Sequence, residues 1–225
     1  MMNNKDGQLV IFDCDGVLVD SEPISFAVLR EMLSDAGLSF TESWAYENFL
    51  GKSMASITAM VAREHNLTLD ETALASMRGR LYARFEAELE PVRGIDALLD
   101  DFPFAHCVAS SSQLERIRLC LTKTGLIRHF EPNIFPASMV ANGKPAPDLF
   151  LHAARAMETE PAHCIVIEDS PAGILAAKRA GMTVFAFTGG SHADREEYRR
   201  EVAALSPHVT FDAMSDLLRL VQKYG

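Results

Sequence analysis

Short apolar runs of strand type alternate with segments of helical periodicity through most of this chain. The runs are Leu9–Phe12 and residues 107–109, 164–167 and 184–187, with 133–135 weaker. Alternation of this kind predicts βα units, in which a parallel sheet is covered by helices on both faces. The expected class is α/β, with a doubly wound, Rossmann-like parallel-sheet core. From residue 21 to about residue 90 the rhythm stops and only helical patterns remain: Phe26, Leu29, Met32 and Leu33; then Ile57, Met60 and Val61; then Leu74, Met77, Leu81 and Phe85. Gly37 ends the first pattern, and Pro91 and Gly94 mark the return. The expected organisation is a discontinuous core, 1–20 and 91–225, with an all-helical domain of residues 21–90 inserted after the first strand. The plainer alternative is that these helices belong to one larger domain.

Composition narrows the function. No apolar run approaches the roughly 20 residues needed to cross a bilayer, and the polar start of the chain lacks the apolar stretch of a secretory signal. No membrane partner is expected. Cys14, Cys107, Cys120 and Cys164 are scattered, without a C-x-x-C pair, and read as reduced, mostly buried thiols suited to the cytoplasm. The formal net charge of −10 argues against nucleic acid, whose phosphates need a basic face. Any site for an anionic substrate must therefore be locally positive, through a metal ion, a lysine or helix N-termini.

Four motifs supply these. Ile-Phe-Asp-Cys-Asp-Gly-Val-Leu-Val-Asp runs from Ile11 to Asp20. Strand side chains alternate, so Asp13 and Asp15 leave on one side and Cys14 on the other. Carboxylates at the carboxyl end of a buried strand are costly unless a cation or reacting group uses them, and ligands of open α/β sheets bind at that edge. On the functional reading Asp13 attacks phosphorus as nucleophile, and Asp15 protonates the leaving oxygen and later takes a proton from water. The competing reading is a solvated Asp/Gly turn.

Val108-Ala109-Ser110-Ser111-Ser112 precedes a helical pattern near Leu114. Hydroxyls and free N–H groups at a helix start hold phosphate oxygens, although serine clusters are commonly N-caps. In Asn142-Gly143-Lys144-Pro145-Ala146-Pro147-Asp148 two prolines stiffen a loop that fixes Lys144, either to balance phosphate charge or as a surface lysine. Ile165-Val166-Ile167-Glu168-Asp169-Ser170 ends a buried-type strand in two acids, and Ser170-Pro171 opens a helix. Acids there also favour a helix dipole. Asp13, Asp169 and Glu168, with the Asp15 backbone carbonyl, form a plausible octahedral oxygen set for Mg²⁺, and the lack of soft ligands argues against zinc or copper.

In order, these four sites resemble the signature set of the haloacid dehalogenase superfamily. More closely they are similar to its branch of phosphatases and phosphomutases around β-phosphoglucomutase, over nearly the whole chain. The resemblance implies Asp13 as nucleophile, Asp15 as general acid/base, Ser110 (with Ser111 beside it) as phosphate-binding hydroxyl and Lys144 as charge-balancing lysine. It implies Asp169 as metal ligand, and Glu168 as ligand or as partner to metal-bound water. The inserted helices would be a cap that closes over the site. Ser25 stands where the mutase has a cap histidine, and Gly51-Lys52-Ser53 is followed by Met54 where the mutase has an arginine.

The expected activity is hydrolysis of a small phosphorylated metabolite, a sugar phosphate or sugar-acid phosphate, through an aspartyl phosphate with Mg²⁺. The alternatives are a phosphosugar mutase and a phosphoacceptor module without turnover, although a receiver-like module of ~120 residues has no use for a helical cap. Gly51, Lys52 and the arginines between residues 78 and 84 are candidates to read the substrate. Those arginines also suit a solvated helix face, and Trp44 reads as a packing residue of the cap.

Overall fold

A computed structural model of the chain describes residues 7–49, 54–193 and 195–224; for residues 42, 43, 46, 47 and 55 it describes the backbone alone. Six strands form one sheet: β1 (Leu9–Phe12), β2 (Ala105–Ser110), β3 (Ile134–Pro136), β4 (Cys164–Glu168), β5 (Thr183–Phe187) and β6 (Val209–Phe211). Their spatial order is β3-β2-β1-β4-β5-β6, and every pairing is parallel. β1 is buried at all four positions and β4 at all five, as expected of central parallel strands covered on both faces. The chain winds outward from β1 to β3, then returns to lay β4 against the other side of β1. The topological switch point therefore lies between β1 and β4, where ligands of such sheets bind.

The chain divides into two compact units, Met1–Ser21 with Leu89–Gly225, and Glu22–Glu88. The first carries the sheet and helices α5 (Ile95–Asp100), α6 (Leu114–Lys123), α7 (Ile127–Phe130), α8 (Asp148–Ala156), α9 (Pro171–Arg179), α10 (Glu196–Ala204) and α11 (Leu217–Tyr224). Where the chain leaves this unit and re-enters it, the two crossings run side by side: Asp20 N donates to Glu90 O at 3.1 Å, and Val92 N to Leu18 O at 2.9 Å. The four cysteines are free and buried.

The second unit holds α1 (Glu22–Asp35), α2 (Glu42–Phe49), α3 (Met54–His65) and α4 (Glu71–Glu88). Its core gathers Phe26, Leu29, Met32, Leu33, Ala45, Phe49, Ile57, Met60 and Val61, so the helical spacing read in the sequence does bury one face. Trp44 stacks on Phe40 with centroids 4.1 Å apart and meets Phe49 edge-on, as a packing residue would. Among the described residues, no helix is long and apolar enough to cross a membrane.

Two elements lacked a sequence signal. β6 is three residues long and only Phe211 is buried, so no alternation shows; it forms by pairing with β5. α2 starts at a Thr41 side-chain cap, and its sequence is polar and shows no clear periodicity.

Candidate active site

Asp13 is the first residue beyond β1, and its N–H donates to Ile167 O at 3.0 Å, which extends the β1–β4 ladder to the switch point. The carboxylate is nearly buried, and Lys144 Nζ lies 2.6 Å from Oδ1. Lys144 also donates to Glu168 Oε1 at 2.7 Å and Ala109 O at 3.0 Å, with its side chain 3% exposed. One ammonium thus joins the ends of β1, β2 and β4. Its loop is anchored: Asn142 Nδ2 donates to Asp148 Oδ2 at 3.0 Å, and Arg179 Nη1 to Pro145 O at 2.8 Å. The Phe150 ring supports the ammonium from 4.7 Å.

Burial pushes the Asp13 carboxyl well above the usual carboxylate range; Lys144 opposes the rise, and Glu168, Asp169 and Asp15 add to it. Burial also raises Glu168 against the pull of Lys144. For Lys144 burial favours the neutral form, but the two carboxylates outweigh it and hold the ammonium charged.

Both oxygens of Glu168 are engaged. Oε1 receives Lys144, and Oε2 receives the Ser170 N–H at 2.8 Å and its hydroxyl at 2.9 Å. Ser170 in turn caps α9 by accepting from Gly173 N at 3.1 Å. Glu168 is therefore tied both to the lysine and to the helix start.

Asp15 sits past β1 in a turn that Gly16, at φ +80°, makes possible. Its carboxylate takes three donors: Ser21 Oγ at 2.6 Å, Ser112 Oγ at 2.7 Å and Arg116 Nη2 at 2.7 Å. Burial alone would raise its pKa, but Arg116 and the two hydroxyls outweigh it, and the carboxyl lies below the usual range. Ser110 is buried at the end of β2, its Oγ accepting from Ser112 N at 3.1 Å, while Ser111 is exposed in the turn. Asp169 follows Glu168, buried, with Oδ2 2.9 Å from His192 Nε2.

Ser21, Arg116 and His192 are site residues that the sequence reading did not single out, and Ser112 was read only as part of the serine run after β2. The signal for Ser21 was weak: a hydroxyl directly after the Asp13–Asp20 motif. Gly51 and Lys52 lie outside the described residues. Arg80 pairs with Asp35 at 2.6 Å, and Arg84 with Glu31 at 3.0 Å and Glu88 at 2.9 Å, so these two arginines tie α1 to α4 on a solvated face.

Whether a divalent cation suits the strand ends is a question of charge. Asp13, Asp15, Glu168 and Asp169 face Lys144 and Arg116, which leaves two negative charges over when His192 is counted as neutral. That excess, on oxygen ligands, fits one Mg²⁺. A different set, Asp96, Asp100 and His129, brings its ligand atoms within 4.8 Å of one another, but it is largely exposed and Arg128 already pairs with both carboxylates at 2.8 and 3.1 Å.

The family of haloacid dehalogenase-like hydrolases matches residues 8–181. A 6-phosphogluconate phosphatase of Escherichia coli is 32% identical over 82% of this chain and 84% of its own length. A fructose-1-phosphate phosphatase of the same bacterium is 32% identical over 77% and 92%. A crystal structure of a haloacid dehalogenase-like protein from Agrobacterium tumefaciens superposes with a TM-score of 0.85 at 33% identity, covering 96% of this chain and 98% of that one.

Proposed function

Because this chain belongs to the haloacid dehalogenase-like hydrolases and is a phosphatase of that family, we propose that it hydrolyses a sugar phosphate or sugar-acid phosphate by way of a phosphoryl group carried on Asp13. The observation that carries this reading is the Asp13–Lys144–Glu168 arrangement: a buried carboxylate at the switch point, one oxygen held by a charged lysine. Its other oxygen is left to attack phosphorus. The site is read as cytoplasmic, in keeping with four reduced thiols.

Lys144 balances the charge of nucleophile and phosphoryl oxygens. The Ser110 hydroxyl and the N–H groups at the start of α6 receive the remaining phosphoryl oxygens. As placed, Asp15 is ionised and fully hydrogen-bonded, so it is set to take a proton from the hydrolytic water. Protonating the leaving oxygen requires that carboxyl to turn away from Arg116 and Ser112 and to take up a proton first, which it gives to the leaving oxygen and regains from the hydrolytic water. Asp13, Asp169 and the Asp15 carbonyl would hold Mg²⁺, which when bound supplies neutralisation of the transferring phosphoryl group. Glu168 keeps Lys144 in place.

Purified protein should release inorganic phosphate from a panel of sugar and sugar-acid phosphates with Mg²⁺ and stop in chelator, and Asp13→Asn should release none. Release by Asp13→Asn at the wild-type rate would sink the reading. Isomer interconversion outpacing phosphate release would make the protein a mutase instead.

A further inference from the structure

A segment outside all four strand-end motifs grips Asp169 from two directions. Thr188-Gly189-Gly190-Ser191-His192 follows β5, and a 3-10 turn, Ser191–Ala193, carries the His192 ring inward until its side chain is 2% exposed. Nε2 stops 2.9 Å from Asp169 Oδ2, at ion-pair distance but not aligned as a hydrogen bond. The ring meets Tyr198 of α10 edge-on, centroids 5.3 Å apart, and the Tyr198 hydroxyl donates to the Asp169 backbone carbonyl at 2.8 Å. So the side chain and the main chain of one residue are both held.

Two glycines make room for this. A Cβ on Gly190 would lie 2.8 Å from His192 Cε1, and one on Gly16 would lie 2.1 Å from Asp169 Oδ2 and 3.0 Å from the same ring. The turn is tied down as well: Ser191 Oγ donates to Asp20 Oδ1 at 2.7 Å, and Arg199 Nε to Ala193 O at 2.9 Å. A ring kept only as filler has no need of a polar edge against a buried carboxylate.

We propose that His192 is a positioning residue: its ring edge lies against Asp169 Oδ2, limits the rotation of that carboxylate, and leaves the other oxygen turned to a divalent cation. The inference rests on Asp169 being a metal ligand, as argued above. Outer partners of metal-binding carboxylates act this way, and their loss weakens the metal more than it alters the chemistry.

The test is the Mg²⁺ dissociation constant of the full chain by titration calorimetry, with the metal-induced rise in Tm as a second readout. His192→Leu, which fills the space without an N–H, should weaken Mg²⁺ about 10–100-fold, and kcat at saturating Mg²⁺ should largely recover. His192→Gln restores a donor of similar reach and should bind within about threefold of the wild type. Wild-type affinity in His192→Leu, or equal weakness in Leu and Gln, overturns the proposal. If His192→Leu does not fold, His192→Asn, whose amide is too short to reach, takes its place against Gln, and equal affinity there overturns it too. Asp169→Asn separates the two claims. Wild-type affinity in that variant defeats the ligand reading itself, whereas weak binding there with His192→Leu unchanged defeats only the role of His192.

Discussion

Lys144 Nζ lies 2.6 Å from Asp13 Oδ1 and 2.7 Å from Glu168 Oε1, so a single buried cation separates two buried carboxylates. Each carboxylate is raised by burial and restrained by that lysine. Asp13 and its electrostatic support are thus one unit, and removing the cation affects folding and chemistry together.

Lys144→Met should therefore destabilise the metal-free protein by about 3 kcal/mol, since it leaves two like charges buried without a partner. For a chain of this size that is roughly 6–12 °C in Tm. Phosphate release should fall at least about 100-fold, the scale of losing one pre-organised charge at a transition state. Thermal melts in chelator and initial rates check both. Unchanged stability would mean that the two carboxylates simply take up protons when the lysine is gone.

Asp13→Asn should separate activity from stability. Because the folded Asp13 carboxyl is raised, its contribution to stability is intact below the unfolded value of about 3.9 and is lost as pH climbs through the folded value. The amide escapes that loss. In chelator at pH 7 the variant should be inactive yet more stable than the wild type, and the gain should vanish near pH 4. Urea midpoints at both pH values give the comparison.

How much of this was visible beforehand follows from the physics of each element. Leu9–Phe12 and the strand ending at Glu168 were legible because central parallel strands are apolar throughout, and an acid directly after such a run is conspicuous. Lys144 was legible because prolines frame it. Arg116 was not: it shares the first turns of α6 with Glu115 and Arg118, and nothing in a row of charges tells which one turns inward. His192 was not, because its inward turn depends on Gly190 and Gly16 making room, a tertiary fact. For Glu168, residue type suggested metal, and its contacts with Lys144 and Ser170 are what residue type could not show.

Gly173 carries a constraint that only coordinates disclose. A Cβ there would stand 1.7 Å from Glu168 Oε1, in a helix where alanine is otherwise the better former. Gly173→Ala should therefore cost about 1–3 kcal/mol by overpacking and cut activity at least about tenfold through the displaced Lys144 partner. Gly79→Ala is the contrast: it lies exposed in α4, and an added Cβ meets nothing within 4 Å. It should gain up to about 1 kcal/mol with no change in rate. Equal effects in the two variants would show that helix propensity, not Glu168, governs position 173.

Arg116 and Asp15 provide the pH-dependent case. The Arg116 guanidinium is 2.7 Å from Asp15 Oδ1, both side chains are mostly buried, and the carboxyl is depressed. A depressed carboxyl stabilises the fold above its unfolded value, about 3.9, and loses that contribution as pH falls through the folded value. Arg116→Leu should cost about 1–3 kcal/mol at pH 7 and at pH 5, and the difference from the wild type should shrink below about pH 4. With the cation gone the Asp15 carboxyl rises, so the acid limb of kcat/KM should shift to higher pH. Urea midpoints from about pH 2.5 to pH 7 and rate profiles at saturating Mg²⁺ measure the two effects. A cost that stays constant through that range would assign Arg116 to packing of its aliphatic stem, and the charge on Asp15 would then owe nothing to it.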